Sequence, residues 1–396
     1  MRERSAAIVG VYEFPERRVT DLSALQIKAL SAARALEDAG LGWGDVDALY
    51  DAGEAFPGMS PVMMAEYLHV NPRVLDGTAV GGSSYEFHAA HARRDIESGR
   101  ARVALLTYGS TAKRDQRAIG TGGRAAWGTP TPVSNLEDPW GLTLIANYAL
   151  VARRHMHQYG TRPEQLAEIA VAARHHAMRN PLAIQAMQDL GFRNVGEISV
   201  EDVLASPLIA DPLHLLDCCM ISDGGGAAVV ASADVARQVR HRPIWILGTG
   251  EAAGYPDNGR DITVTAAARS GPAAFGQAGV KPEEMDVAMI YDSFTITVLA
   301  ILEDLGFCAK GEGGDYVSGG RLAFDHPGGP ALNTDGGGLS SNHPGMRGIF
   351  LLIEAVRQLR GLSTAQVDGA RLAVAHGNGG QLGTRHAAAT IILGRD

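Results

Sequence analysis

An internal repeat is the feature of this sequence that most constrains its fold. Segment 39–51 begins with Ala-Gly-Leu and ends with Tyr50-Asp51, and segment 278–292 begins with Ala-Gly-Val and ends with Tyr291-Asp292. Three further pairs of segments match in the same order, namely 81–97 with 336–359, 103–107 with 372–375, and 227–231 with 387–393. Self-similarity of this kind indicates duplicated structural units. The chain is therefore predicted to fold as two similar halves, 1–235 and 236–396.

Each half alternates short strands with helices. The strands predicted in the first half are 6–11, 46–50 and 103–107, and the helices are 21–39 and 87–96. This alternation is typical of an α/β protein with a mostly parallel sheet and helices on both faces. Between 111 and 212, glycines and prolines and then further helical patterns break the rhythm. We expect an inserted loop domain there, over one face of the sheet.

The charge and the cysteines argue against several classes of protein. The formal net charge is −9 and no run of five or six basic residues occurs, so neither nucleic acid nor a membrane surface is the expected partner. No apolar run reaches the length of a membrane span, and the N-terminus leads into a strand pattern rather than a signal peptide. The three cysteines, Cys218, Cys219 and Cys308, fit neither a disulfide framework nor a zinc site. We expect a reduced, cytoplasmic protein without a bound metal.

The loop 333–348 is the strongest candidate for a functional site. Three glycines at 336–338 allow positive φ and a close approach to a ligand. Two hydroxyls, an amide and the imidazole of His343 follow at 340–343, and Pro344 then precedes an apolar pattern of helical spacing. The loop would deliver His343 to the N-terminus of a helix that begins near Pro344. The field there disfavours the imidazolium, so we expect a largely neutral imidazole that suits acid–base chemistry. The alternative interpretation is a helix-capping loop with a structural histidine.

Three other loops at strand–helix junctions are predicted to converge with this one. They are Gly82-Ser83-Ser84, Tyr291-Asp292-Ser293-Phe294 and His376-Gly377-Asn378-Gly379-Gly380. Together with Ser-Asn-His-Pro-Gly at 341–345, these motifs resemble the thiolase superfamily, and specifically its sterol-carrier-protein type, over essentially the whole chain. The resemblance implies a five-layer αβαβα fold built from two duplicated βα halves.

The resemblance also implies roles for individual residues. In working thiolases the first loop carries a nucleophilic cysteine and the second carries a histidine of the oxyanion hole. The third carries the histidine that activates the cysteine, and the last carries a second cysteine that moves the proton. Here Ser83 or Ser84, Tyr291, His343 and His376 stand in these loops. The candidate catalytic residues are therefore Tyr291, His343, His376 and Ser84, and the candidate substrate-binding residues are Ser83, Asp292, Ser341, Asn342, Asn378 and Gly379.

The absence of the cysteine changes the expected chemistry. A serine hydroxyl needs a strong, positioned base to become a nucleophile, whereas a phenol and two imidazoles suit acid–base catalysis. The set resembles the cysteine-lacking aldolases of the superfamily, which cleave β-hydroxyacyl-CoA side chains of steroids and carry a second tyrosine at the position of Ser341. We therefore expect retro-aldol cleavage of a β-hydroxyacyl-CoA. The alternatives are a thiolase or acyltransferase that uses Ser84, and a non-catalytic scaffold subunit that binds acyl-CoA.

The resemblance implies the partners as well. Such aldolases work with a small subunit that has an OB-fold and a zinc ribbon, so we expect a heterotetramer built on a homodimer. Pairing of the two copies is expected through the strand, turn and helix at 80–96. Coenzyme A is expected as part of the substrate, and no cofactor is expected to be permanently bound.

Overall fold

The computed structural model describes residues 4–53, 59–116, 143–254 and 261–396. The strands are β1 Ala6–Glu13, β2 Ala48–Asp51, β3 Val74–Asp76, β4 Val103–Ser110, β5 Leu208–Ala210, β6 Leu213–His214, β7 Gly224–Ser232, β8 Ile244–Gly254, β9 Val287–Ile290, β10 Ala331–Leu332, β11 Leu372–Gly380 and β12 His386–Gly394. The helices are α1 Ala24–Ala39, α2 Ser60–Leu68, α3 Ser84–Glu97, α4 Leu144–Tyr159, α5 Pro163–Ala177, α6 Pro181–Asp189, α7 Val200–Ala205, α8 Ala233–Ala236, α9 Ala267–Ala278, α10 Thr295–Asp304, α11 Gly313–Val317, α12 Gly337–Ser340 and α13 Gly348–Arg360.

Ten strands form one continuous sheet, in the order β10-β9-β11-β12-β8-β1-β7-β4-β2-β3. The two halves of this order are equivalent, because β8, β12, β11, β9 and β10 repeat the arrangement of β1, β7, β4, β2 and β3. They meet where β1 pairs antiparallel with β8, with Ala7 opposite Trp245. The strand order therefore agrees with the repeat in the sequence. The division into domains at residue 235 stays a prediction.

The sheet is mixed, so the expectation of a mostly parallel sheet is wrong. β2 is parallel to β3 and β4, and β9 is parallel to β10 and β11. In contrast, β7 and β12 run antiparallel to both of their neighbours. The physical reason is plain for β11 and β12, which are joined by residues 381–385 alone. A connection this short can join antiparallel strands but cannot make a parallel crossover.

Glycines end the corresponding helices of the two halves in the same way. Gly40 follows α1 with a φ of 71°, and Gly279 follows α9 with a φ of 71°. Both lie in the left-handed region, where a residue with a Cβ is strained. The repeated Ala-Gly pair in the sequence is thus a repeated helix stop, which directs the chain into β2 in one half and into β9 in the other.

The helices and sheet halves stack in five layers. Helices α3 and α13 form the middle layer, and their apolar residues pack in one core with strand residues of both halves, such as Ile8 and Met289. Helix α1 covers the outer face of the first half, and α9 and α10 cover the outer face of the second. The five-layer αβαβα architecture predicted from the resemblance is confirmed.

Helices α4 to α7 make up most of the described part of the predicted insertion at 111–212. Helix α5 packs on α10 and extends the outer core of the second half. Residues 117–142, which the sequence assigned to the same insertion, lie outside the described residues. Within the described ranges, no helix combines the length and apolarity needed to cross a membrane.

Candidate active site

The predicted pair of Tyr291 and His343 is present. Tyr291 follows β9 directly, and its hydroxyl lies 3.0 Å from Nε2 of His343 and 3.2 Å from the carbonyl oxygen of Gly345. The backbone N–H of Arg347 donates to the same hydroxyl at 3.4 Å. Both side chains are 4 % exposed. The structure therefore confirms their predicted proximity, and their roles in catalysis stay predictions.

Burial keeps both members of this pair neutral. Burial, and then the positive charge of Arg347, lower the pKa of His343 to about 4. Burial raises the pKa of Tyr291 well above its usual value. The sequence attributed a neutral His343 to the field of a helix starting near Pro344, but α13 begins only at Gly348. The neutral imidazole is as expected, whereas its cause is desolvation together with a nearby guanidinium.

A buried ionic network under the pair fixes the loop. The Arg347 guanidinium pairs with Asp335 at 2.6 Å and with Asp292 at 3.2 Å, and donates to Oδ1 of Asn342 at 3.2 Å. Burial lowers the pKa of Arg347, but the two carboxylates outweigh this and raise it. Burial raises the pKa of Asp292 to about 6 against the opposing charge of Arg347. Asp292 and Asn342, which the sequence suggested for substrate binding, thus hold the loop through Arg347.

The serine loop departs from the prediction. An ideal Cβ added to Gly82 would lie 2.5 Å from the Tyr291 hydroxyl oxygen and closer still to two ring carbons, so Gly82 is the residue that faces Tyr291. The Ser84 hydroxyl donates to the carbonyl of Gly81 at 2.7 Å and accepts from the N–H of Val80 at 3.0 Å. It therefore caps the backbone at the start of α3. The expectation that Ser83 or Ser84 stands in place of the cysteine stays a prediction, and the geometry does not support it, because Gly82, and neither serine, faces Tyr291.

The Ser83 hydroxyl is likewise engaged in hydrogen bonds with the backbone. Its hydroxyl donates to the carbonyls of Val80 and Ala387, each at 3.1 Å. No hydrogen bond between Ser83 or Ser84 and a histidine occurs in the described part of the chain. Without an adjacent base, neither hydroxyl has the activation that a nucleophilic serine requires.

His376 lies on the other face of the sheet from Tyr291. In β11, Ala375 packs in the middle layer and Val374 packs in the outer core, so His376 shares the outer side with Val374. Its Nδ1 lies 2.8 Å from Oγ1 of Thr390, which contacts Ser270 on α9. Burial, and then His386, lower the pKa of His376 to about 3. The prediction that His376 shares a site with Tyr291 is therefore wrong, because the strand places the two side chains on opposite faces.

The remaining predicted residues of this loop also divide between the two faces. The Asn378 side-chain amide donates to the hydroxyl of Tyr148 at 3.2 Å, within the outer core. Gly379 faces the middle layer, where its missing side chain lets the backbone of Val80 approach. Ser341 is fully buried beside Asn342, whose amide lies 3.4 Å from the Ser341 hydroxyl.

Glu86, a buried acid beside the site, was not predicted from the sequence. Its side chain is fully buried on the first turn of α3. An ideal Cβ on Gly377 or on Gly348 would lie well within 3.0 Å of Glu86 Oε2, so these glycines make the space that the carboxyl fills. A glutamate directly before the alanine-rich helix predicted at 87–96 was the available signal.

Comparison with known proteins agrees with this architecture. Residues 247–395 match the family model "Thiolase C-terminal domain-like". An acetyl-CoA acetyltransferase of Methanothermobacter thermautotrophicus is 32 % identical, with 96 % of this chain and 98 % of that protein covered. A steroid side-chain-cleaving aldolase of Thermomonospora curvata is 33 % identical, with 91 % and 92 % covered.

Among solved structures, the Ltp2–ChsH2(DUF35) aldolase is similar with a TM-score of 0.85 and 29 % identity. The match covers 100 % of this chain and 99 % of that one. Relatives that span nearly the whole chain at more than 30 % identity, together with the fold and the loop motifs, lead to one conclusion. The chain belongs to the thiolase superfamily, and to its sterol-carrier-protein type.

Proposed function

We propose that the protein is an acyl-CoA carbon–carbon bond lyase that cleaves a β-hydroxyacyl-CoA of the steroid side-chain type by a retro-aldol reaction. The observation that carries the proposal is the buried, neutral Tyr291–His343 pair, which faces Gly82 in the loop that carries the nucleophile of working thiolases in the resemblance described above. A retro-aldol reaction needs proton transfer and enolate stabilisation but no covalent intermediate. The similarity to the Thermomonospora curvata aldolase supports the same reaction class.

The chemistry follows from the two side chains. The substrate β-hydroxyl would bind at the Tyr291 oxygen, and its proton would leave through the contact of 3.0 Å with His343. As the O–H bond breaks, a C=O bond forms and the adjacent carbon–carbon bond cleaves. Its electron pair becomes the enolate of the thioester. A neutral imidazole can accept a proton or, as the other tautomer, donate a hydrogen bond to the thioester oxygen.

The proposal extends to substrate and partners. Coenzyme A would enter as part of the substrate, and no permanently bound cofactor is required. A homodimer would pair through β3, an edge strand of the sheet in which Leu75 is 44 % exposed. Of the expected segment 80–96, only the residues outside the chain's own core could take part, because Ala89, Ala90 and Ala92 are fully buried in the middle layer. A DUF35 subunit accompanies the similar aldolase structure, which supports a small OB-fold, zinc-ribbon partner and a heterotetramer here.

A second candidate is an acyltransferase, favoured by the similarity to the archaeal acetyl-CoA acetyltransferase. It would need a nucleophile beside His343. Gly82 has no side chain, and the hydroxyls of Ser83 and Ser84 donate hydrogen bonds to backbone carbonyls. The acyltransferase is therefore the weaker candidate. Absence of turnover with every CoA thioester would instead favour a non-catalytic scaffold.

A matched pair of tyrosine variants tests the proposal. Tyr291→Phe removes the hydroxyl that contacts His343. Tyr108→Phe removes a hydroxyl that donates to Pro344 at 2.6 Å and accepts from Met346 at 2.9 Å, and so supports the same loop. Loss of an acid–base group should lower kcat of Tyr291→Phe by about 10²–10⁴-fold with little change in KM. Tyr108→Phe should keep kcat within about tenfold of wild type, and equal losses in the two variants would refute the proposed role of Tyr291.

A further inference from the structure

Glu86 lies beside the reacting groups, although the reaction described above does not use it. Tyr291 donates its backbone N–H to the carbonyl of His376, and Ile290 is in register with His376, so Tyr291 and Gly377 are side by side on neighbouring strands. Neighbouring strands are about 4.8 Å apart. The Tyr291 ring lies in front of Gly82 and the Glu86 carboxyl lies in front of Gly377. Both groups therefore lie on the middle-layer face of the sheet, beside the carboxyl end of β9.

The carboxyl of Glu86 has no partner that explains its burial. Within the described ranges, neither of its oxygens makes a hydrogen bond to another residue, and the side chain is fully buried. Burial raises the pKa of Glu86 well above its usual value, and its own backbone N–H and Arg347 offset this only in part. Burial therefore favours the neutral, protonated form of this carboxyl. Buried polar groups without partners are rare and often mark a functional site.

The retro-aldol reaction leaves one step without an assigned group. Once the carbon–carbon bond has broken, the α-carbon of the enolate must gain a proton to give the acyl-CoA. Tyr291 and His343 are engaged with the hydroxyl and the thioester oxygen. His376 cannot serve, because it faces the outer core.

We propose that Glu86 is the acid that protonates the α-carbon of the enolate, a role that rests on the proposed lyase function. In this step the O–H bond of Glu86 breaks and a C–H bond forms at the α-carbon. The electron pair of the former carbon–carbon bond enters that C–H bond. The proton taken from the substrate hydroxyl then restores the carboxyl, so no further reactant is needed.

The two glycines in front of Glu86 are part of this arrangement. A side chain at Gly377 or Gly348 would occupy the position of the Glu86 carboxyl and push the carboxyl away from β11. The α-carbon would lie between the Tyr291 ring and this carboxyl, with the thioester oxygen at His343. Glu86 would thus act on the carbon end of the enolate while the other two residues act on its oxygens.

Hydrogen exchange isolates this step from cleavage. The full-length protein is incubated with propanoyl-CoA in D₂O, and deuterium gain at the α-carbon is followed by mass spectrometry. Wild type should exchange, because the carboxylate formed by deprotonation of Glu86 can remove the α-proton in reverse. Glu86→Gln keeps the shape of the side chain but carries no transferable proton, so its exchange rate should fall by about 10²–10⁴-fold.

Glu354→Gln is the matched control. Glu354 is also buried, on the neighbouring middle-layer helix α13, where it accepts hydrogen bonds from Thr334 at 2.7 Å and Ser363 at 2.5 Å. This variant should exchange at the wild-type rate. Thermal unfolding of both variants checks that the fold is kept, and Glu86→Asp should retain part of the exchange because it keeps the acid but shortens its reach.

The outcomes separate the role of Glu86 from the lyase function. Absence of exchange by wild type, or wild-type exchange by Glu86→Gln, overturns the role of Glu86 whether or not the protein cleaves β-hydroxyacyl-CoA. Exchange that depends on Glu86 without any cleavage would refute the lyase function and leave the role of Glu86 as an α-carbon acid intact. A purely structural role would leave the exchange rate of Glu86→Gln unchanged.

Discussion

Substitution of Gly82 by alanine tests the contact on which the site depends. The added Cβ would lie 2.5 Å from the Tyr291 hydroxyl oxygen and nearer to two ring carbons, whereas real Cβ atoms essentially never approach another heavy atom within 3.0 Å. Tyr291 has little room to yield, because β9 fixes its backbone and its hydroxyl holds His343 and Gly345. Something in the site must therefore shift.

The expected cost follows from this geometry. Adding a methyl group to a packed core typically costs about 1–3 kcal/mol, and Gly82→Ala should lie near the upper end of that range. If the Tyr291 ring shifts, its hydroxyl moves away from His343, so kcat should also fall by about 10²-fold or more. Urea unfolding and steady-state cleavage kinetics measure the two effects separately.

A second glycine provides the control. Gly276 lies inside α9, and a Cβ added there would meet no heavy atom within 4 Å. Gly276→Ala should therefore raise the free energy of unfolding by about 0.5–1 kcal/mol and leave kcat unchanged. If Gly82→Ala is as stable and as active as wild type, the packing of Tyr291 on Gly82 is not as described and the reasoning fails.

Two further predictions concern charge. Because burial and Arg347 hold the pKa of His343 at about 4, the imidazole stays neutral as the pH falls from 8 to about 5. An NMR pH titration of the His343 imidazole should thus show no protonation over that range, and a protonation midpoint near pH 6.5 would show an ordinary histidine. Arg347→Met should lower the free energy of unfolding by about 3–5 kcal/mol in urea titrations, because it leaves Asp292 and Asp335 buried without their cation. An Arg347→Met variant within 1 kcal/mol of wild type would show that the network contributes little.

The fold could be predicted because its determinants are local and occur twice. The Ala-Gly pairs at 39–40 and 278–279 are helix stops with the same left-handed glycine, and each is followed by a strand at the same spacing. The pairing of Tyr291 with His343 was predictable for a similar reason. One residue ends a strand and the other sits in the loop before the adjacent middle-layer helix.

The direction in which an individual side chain points could not be predicted with the same accuracy. A shift of one residue along a strand turns a side chain to the other face of a sheet, so His376 faces the outer core while Gly377 faces the site. At the start of a helix, one residue turns the side chain by about 100°, and that separates Gly82 from Ser83. Motif order alone does not resolve shifts of this size.

The burial of Glu86 depends on residues that are distant in sequence. Its space exists because Gly348 and Gly377, more than 250 positions further along the chain, lack side chains. Arg347 likewise acquires its role from Asp292 and Asp335, which lie on separate loops. These contacts form only when the two halves pack together, so they could not be predicted from the sequence.

The fate of free coenzyme A during turnover tests the central claim most directly. The full-length protein, alone and co-expressed with a DUF35-type partner, is incubated with a β-hydroxyacyl-CoA that carries a steroid side chain. The carbonyl product, the shortened acyl-CoA and free CoA are then quantified. A retro-aldol lyase should form the carbonyl compound and the acyl-CoA in equal amounts, with no requirement for free CoA and no change in its concentration. Cleavage that requires and consumes one free CoA per turnover would contradict the account and identify a thiolase.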